Sequence, residues 1–164
     1  MVQGGRPGSK EKSSQDKKKT SLRFLSLNAR SVMNKLDLLQ ATVLDLNPDV
    51  IGVTESWANE NISDAELKLN GYELFRCDRK TRHRGGGVLL YVKDVLNPAE
   101  FHTKSEYGEH AWCKVKDLLI GLCYRSDNAA IVGQENELQL RQLLQEVCGS
   151  HVLIMGDFNY PDVD

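Results

Sequence analysis

Apolar residues follow two rhythms along this chain, and their alternation predicts an α/β protein. From Leu22 to Asn28 apolar and polar positions alternate well enough for a first strand. Ser31 and Asn34 then offer helix caps, and Leu36, Leu39, Val43 and Leu46 recur at helical spacing. Asn47-Pro48 ends that pattern, because the residue before proline avoids the helical region. Val50 to Glu55 is an unbroken apolar run up to its last two residues, the mark of a strand covered on both faces. Strand, helix, strand predicts a parallel pair with a right-handed crossover.

Asn59 to Asn70 reads as a loop or short helix, followed by a strand from Gly71 to Arg76 and a strongly basic turn. Gly85-Gly86-Gly87 reads as a turn that releases the next strand, Val88 to Val92; it precedes no helix and lacks the lysine of a phosphate-cradling loop. Two further strands are expected at Ala111 to Val115 and Leu118 to Tyr124, joined by a tight turn at Lys116-Asp117. A second amphipathic helix spans about Glu135 to Cys148, with Leu140, Leu143, Leu144 and Val147 inward and Gly149 as its stop. The last strand, Val152 to Met155, delivers Gly156-Asp157-Phe158-Asn159. No internal repeat is evident.

Composition narrows the class. The chain has 164 residues, 40% apolar and 27% charged, which suits one domain or part of one. Residues 1–20 hold six basic and two acidic side chains with almost nothing apolar, and are expected to be a disordered basic arm. The remainder, residues 21–164, holds 15 basic and 21 acidic residues, so any grip on nucleic acid must come from local patches. No stretch approaches the roughly 18 to 20 apolar residues of a membrane span, and no apolar signal core stands at the N-terminus. An intracellular protein, neither secreted nor membrane-bound, is expected. Cys77, Cys113, Cys123 and Cys148 form no C-x-x-C pair and read as reduced, buried thiols.

Candidate chemistry sits where apolar runs end. Asn28, Glu55, Tyr124, Asp157 and Asn159 each follow or close a predicted strand, and so gather at the mouth of a sheet. An oxygen-rich set without Cys or His suits a hard cation, Mg²⁺ or Mn²⁺, acting on a phosphate ester. Asp157 would orient or deprotonate water, Glu55 would hold the cation, Asn159 would stabilise the transition state, Asn28 would position the metal or Glu55, and Tyr124 would offer its phenol to a phosphate oxygen. Should the strand continue through Phe158, Asp157 and Asn159 would face the same side. Singly, each has an ordinary reading as a turn, a solvated carboxylate or a core-edge aromatic; their shared placement lifts the functional one.

Five motifs occur in order: Leu27-Asn28-Ala29-Arg30-Ser31, the run from Pro48 to Trp57, Gly85 to Val92, Cys123-Tyr124-Arg125, and Met155 to Asn159. Together they resemble the endonuclease/exonuclease/phosphatase superfamily, and most of all the endonuclease domain of the reverse-transcriptase polyprotein of non-LTR (LINE-type, jockey-like) retrotransposons. The resemblance covers roughly Ser21 onward. It implies an α/β sandwich of two mixed sheets flanked by helices, a metal site at Glu55 and Asn28, a phosphate contact at Tyr124, water alignment by Asp157 and phosphoryl stabilisation by Asn159. It also implies DNA as the partner, nicked to leave a 3′ hydroxyl, no small-molecule cofactor, the rest of a reverse-transcriptase polyprotein as neighbour, and a location that includes the nucleus.

The family's C-terminal half carries a further aspartate and a Ser-Asp-His motif that these residues do not contain; His83, His102, His110 and His151 lie outside that pattern. The expectation is therefore a partial domain with an open sheet edge, with little or no nicking of DNA as it stands. Two alternatives stay open: a catalytically silent remnant or weak nucleic-acid-binding module, and a hydrolase of phosphomonoesters or phospholipids. The basic run Arg76, Arg79, Lys80, Arg82 and Arg84 is either a hold on DNA phosphates or a solvated turn.

Overall fold

A computed structural model describes residues 21–80, 85–126, 133–149 and 151–160. The basic arm, Arg82 and Arg84 lie outside the described residues.

Strand β1 (Phe24–Asn28) leads through a 3-10 turn (Met33–Lys35) into helix α1 (Leu36–Leu46). Asn47 ends the helix in the left-handed conformation, its N–H donating to the Val43 carbonyl at 2.8 Å, and Pro48 blocks continuation. The chain returns as β2 (Val50–Thr54), in parallel register with β1 from Phe24 opposite Val50 to Asn28 opposite Thr54. The short helix α2 (Asp64–Leu67), closed by a Ser63/Glu66 capping box, precedes the antiparallel strands β3 (Tyr72–Cys77) and β4 (Val88–Lys93). The first sheet has the order β1-β2-β4-β3.

The second sheet holds β5 (Ala99–Glu100), β6 (His110–Val115), β7 (Leu118–Tyr124) and β8 (His151–Asp157), in that order. Helix α3 (Gln134–Val147) makes the crossover between the parallel strands β7 and β8. Each sheet thus carries one helix-linked parallel pair at one side and antiparallel ladders at the other. The likeness lies in the connections, a strand–helix–strand unit in each sheet, because ladder type is set by connection geometry and leaves no residue repeat.

Alternating side chains explain the layers. Val50, Val88, Leu90 and Val92 of the first sheet pack between the sheets against Ala111, Cys113, Ile120 and Leu122 of the second. The intervening Ile51, Val53, Leu89 and Tyr91 turn outward to α1 and α2, meeting Leu39 and Leu67. On the far side Trp112, Leu119 and Cys123 meet Leu140, Leu143 and Val147 of α3. Covered on both faces, β2 and β4 read as unbroken apolar runs. Among the described residues β1 and β8 are edge strands, with Phe24 exposed and Val152 to Met155 half-buried. Cys113 and Cys123 are buried as expected, but Cys148 closes α3 at the surface and is exposed. No described helix is long and apolar enough to cross a membrane.

Candidate active site

The C-terminal ends of β1, β2, β7 and β8 meet at one mouth, where the two sheets face each other. Within the first sheet Asn28 pairs with Thr54, so Glu55 follows directly beside it; within the second, Tyr124 and Asp157 are register partners. At this mouth two hydrogen bonds between described side chains cross from one sheet to the other. The Asn28 amide donates to Asp157 Oδ2 at 3.2 Å, and the Tyr124 hydroxyl donates to Glu55 Oε1. With the register neighbours of each sheet, these two bonds set four side chains from four strand ends in a ring. The structure brings together Asn28, Glu55, Tyr124 and Asp157, as the strand-end positions predict.

Asn159 is placed otherwise. Strand β8 ends at Asp157, and Asn159 turns into the left-handed region at φ 44°, so it does not share a face with Asp157 along a continued strand. Its amide donates to the Arg125 carbonyl at 2.7 Å, while the Arg125 guanidinium donates back to the Phe158 and Asn159 carbonyls at 3.2 and 2.8 Å. Arg125 also pairs with Glu137 of α3 and lies 4.2 Å from the Tyr160 ring centroid. Asn159 thus belongs to a rim clamp centred on Arg125, the residue after Tyr124, and stands outside the ring.

Glu55 is the most heavily engaged member. Its Oε2 accepts from the Trp57 indole at 2.5 Å and from the Gly86 N–H at 3.2 Å, while Oε1 takes the Tyr124 hydroxyl. Partial burial pushes its carboxyl up, but these donors and the nearby Arg79 charge outweigh it and hold Glu55 below the ordinary glutamate value. Tyr124 is pushed the other way, by burial and then by its bond to Glu55, so its phenol keeps its proton. Glu55 at φ 54° and Trp57 at φ 55° bracket the chain here, and Arg30 and Ser31 are also left-handed, at φ 44° and 82°. Non-glycine residues in that region are costly, and their gathering at one mouth is a mark of functional geometry. Backbone bonds from Ser31 to Glu55 (3.0 Å) and from Val32 to Ser56 (2.9 Å) hold the two turns side by side.

The basic run departs from expectation. The Arg76 guanidinium is committed to Asp64 and Asp78, and that of Arg79 to Glu109, with only 16% and 8% of the respective side chains exposed. Neither faces solvent phosphates, since a carboxylate partner nearer in space satisfies each fork. Lys80 remains exposed.

Sequence reasoning also missed Trp57, Gly86 and Glu109. Gly86 has φ 71°, and a Cβ there would overlap both the Glu109 carboxylate and the Arg79 guanidinium. The glycine triplet is a seat for side chains of the site. Its signal, three successive glycines after charged residues, is shared with any loose turn.

These residues present carboxylate, amide and phenol oxygens around one point. Among the described residues no group of three or more His, Cys, Asp or Glu could cage a metal. The donor set nonetheless fits Mg²⁺, which keeps most of its waters and asks for one or two carboxylates plus substrate phosphate oxygens.

The chain matches the endonuclease/exonuclease/phosphatase family over residues 22–163, and it belongs to that family. Its fold resembles an AP endonuclease from Archaeoglobus fulgidus (16% identity, TM-score 0.64, 85% of this chain and 58% of that one). It also resembles the 3′-5′ exonuclease NExo from Neisseria meningitidis (17%, 0.66, 84% and 58%) and a Neisseria 3′ phosphatase NExo bound to product DNA hairpin (16%, 0.67, 88% and 60%). The chain spans about three fifths of the length of these structures. None of the curated proteins matches it in sequence.

Proposed function

We propose that this chain is the N-terminal part of a Mg²⁺- or Mn²⁺-dependent phosphodiesterase, the DNA-nicking endonuclease of a retrotransposon-derived reverse-transcriptase polyprotein. The observation that carries the reading is the cross-sheet ring of Asn28, Glu55, Tyr124 and Asp157. The five ordered motifs support the retroelement branch, and an intracellular location that includes the nucleus follows from a DNA substrate.

Glu55 and Asn28 would hold the cation, which when bound would supply charge neutralisation at the phosphoryl oxygens. Glu55 suits this, because its donors favour its ionised form. Asp157, fixed by the Asn28 amide, aligns water and accepts its proton. Tyr124 remains protonated and turns its hydroxyl from Glu55 to a phosphate oxygen. Asn159 adds a donor from the rim once its amide leaves the Arg125 carbonyl. Lys80 is the described member of the basic run left to meet DNA backbone.

The test begins with metal. Trp57 touches Glu55, so titration with Mn²⁺ should quench tryptophan emission in the wild type and not in Glu55→Gln. No response in the wild type would overturn the reading. Supercoiled plasmid and a 3′-phosphorylated hairpin then separate diester from monoester hydrolysis. The expected result is no appreciable turnover by these 164 residues alone, and Glu55-dependent nicking by the polypeptide extended along its own reading frame.

A further inference from the structure

Arg79 and Glu109 form a fork-to-fork ion pair, Nε to Oε1 at 2.9 Å and Nη2 to Oε2 at 3.0 Å, with 8% and 11% of their side chains exposed. Burying two charges is expensive, and an apolar pair of similar volume often stabilises a fold as well or better. Stability alone therefore gives weak reason for this pair, and its contacts suggest another. The Arg79 guanidinium lies 5.8 Å from the Tyr124 ring centroid. Glu109 Oε1 accepts the Gly87 N–H at 3.0 Å, while its backbone carbonyl accepts the Tyr124 N–H at 2.9 Å. Both groups occupy the space over Gly86, whose own N–H donates to Glu55. The pair thus seats the glycine turn that donates to Glu55, and its guanidinium braces the Tyr124 ring, while the Tyr124 N–H bond to the Glu109 carbonyl is a backbone bond independent of the pair.

We propose that the Arg79–Glu109 pair is a positioning device, which sets the mutual geometry of Glu55 and Tyr124 from beneath. Neither residue touches the reacting atoms. The inference rests on the phosphodiesterase reading for its purpose, and on geometry alone for its test. Without the pair, the glycine turn loses its seat and Tyr124 loses its brace, so the carboxylate and phenol no longer share one arrangement. In the extended, active polypeptide the loss should fall on kcat, about 10- to 100-fold, with KM for DNA unchanged.

The two tryptophans provide a readout that needs no turnover. The Trp57 indole donates to Glu55, whereas the buried Trp112 indole N–H has no partner among the described residues and packs over Gly121 in the core. In a ¹H–¹⁵N spectrum of the full chain the Trp57 indole signal, assigned with Trp57→Phe, should lie downfield of that of Trp112. Arg79→Met and Glu109→Gln should move it at least halfway toward its position in Glu55→Gln while the Trp112 signal stays. Arg79→Lys, which restores charge without the fork, should fall between. A Trp57 signal unmoved in a variant whose Trp112 signal is native overturns the proposal. So does loss of both signals in Arg79→Met and Glu109→Gln alike, which would make the pair a folding element. Broadening of the wild-type Trp57 signal by Mn²⁺ reports the metal reading separately, and its absence would sink that reading whatever the variants do.

Discussion

The Asn28 amide reaches Asp157 Oδ2 at 3.2 Å, joining the end of β1 to the end of β8 across 129 positions of sequence. An amide at that point lets a carboxylate stand opposite without repulsion. Asn28→Asp would place two carboxylates at that separation, so one of them should hold a proton above the usual carboxylate range. A folded-state pKa raised in this way makes the variant more stable in acid than at neutral pH relative to wild type. The site is open to solvent, so the cost at about pH 7 should stay below about 1 kcal/mol. Thermal melts of both proteins at about pH 7 and pH 5 check it, and a difference independent of pH counts against the contact.

Glycine at position 86 is a steric requirement. At φ 71°, with Arg79 and Glu109 over its Cα, Gly86→Ala should cost about 2 to 4 kcal/mol and displace Glu55. Gly71, at φ 82° with open space around it, isolates the backbone term, and Gly71→Ala should cost about 1 kcal/mol. Urea unfolding of the two variants makes the comparison, with equal losses as the adverse result.

Acid stability should depend on Asp49. Its carboxylate accepts from Lys93 Nζ at 2.9 Å and from the Arg23 N–H at 2.8 Å. Burial pushes this group up, but the two donors and their charges more than offset it and hold it below 3.8. A depressed folded value gives stability that is full above 3.8 and lost as pH falls through the folded value. Lys93→Met should remove about 1 to 3 kcal/mol near neutral pH, and the gap to wild type should narrow below about pH 4. Urea midpoints across that range decide it; a constant gap assigns the loss to packing.

The four thiols should separate by reactivity. Burial pushes Cys113 and Cys123 up to about 12 and also shields them, whereas Cys148 is exposed. A disulfide reagent at neutral pH should modify Cys148 at once, the half-buried Cys77 more slowly, and Cys113 and Cys123 only after unfolding. Rapid native labelling of Cys123 would mean that α3 does not cover β7 in solution.

Loosening the rim clamp should be felt at β8. Arg125→Met removes both guanidinium contacts to the Asp157–Asn159 turn and the pair with Glu137, leaving the Asn28–Asp157 bond and the two bonds to the Arg125 backbone to hold the turn. Amide hydrogen exchange at Phe158 and Asn159 should rise at least tenfold, with β6 unaffected. Unchanged exchange would show the turn to be held by its own backbone.

The sequence by itself determined the elements and the chemistry at their ends. Helical spacing through Leu36 to Leu46, the stop at Asn47-Pro48 and the unbroken run of β2 are local patterns, and a local pattern needs no knowledge of its neighbours. Asn28, Glu55, Tyr124 and Asp157 could be singled out because strand ends are also readable locally. Only the tertiary structure decided who meets whom: Asn28 with Asp157, Tyr124 with Glu55, Trp57 on the same carboxylate, and Arg76 and Arg79 drawn from the surface into ion pairs. It also turned Asn159 away from the ring, since the end of β8 and the Arg125 clamp outweigh the alternation of a strand. The physical reason is the same in each case. A side chain's partner is chosen by directional contacts across tens of residues, and these leave no period in the chain that a reader of residues could follow.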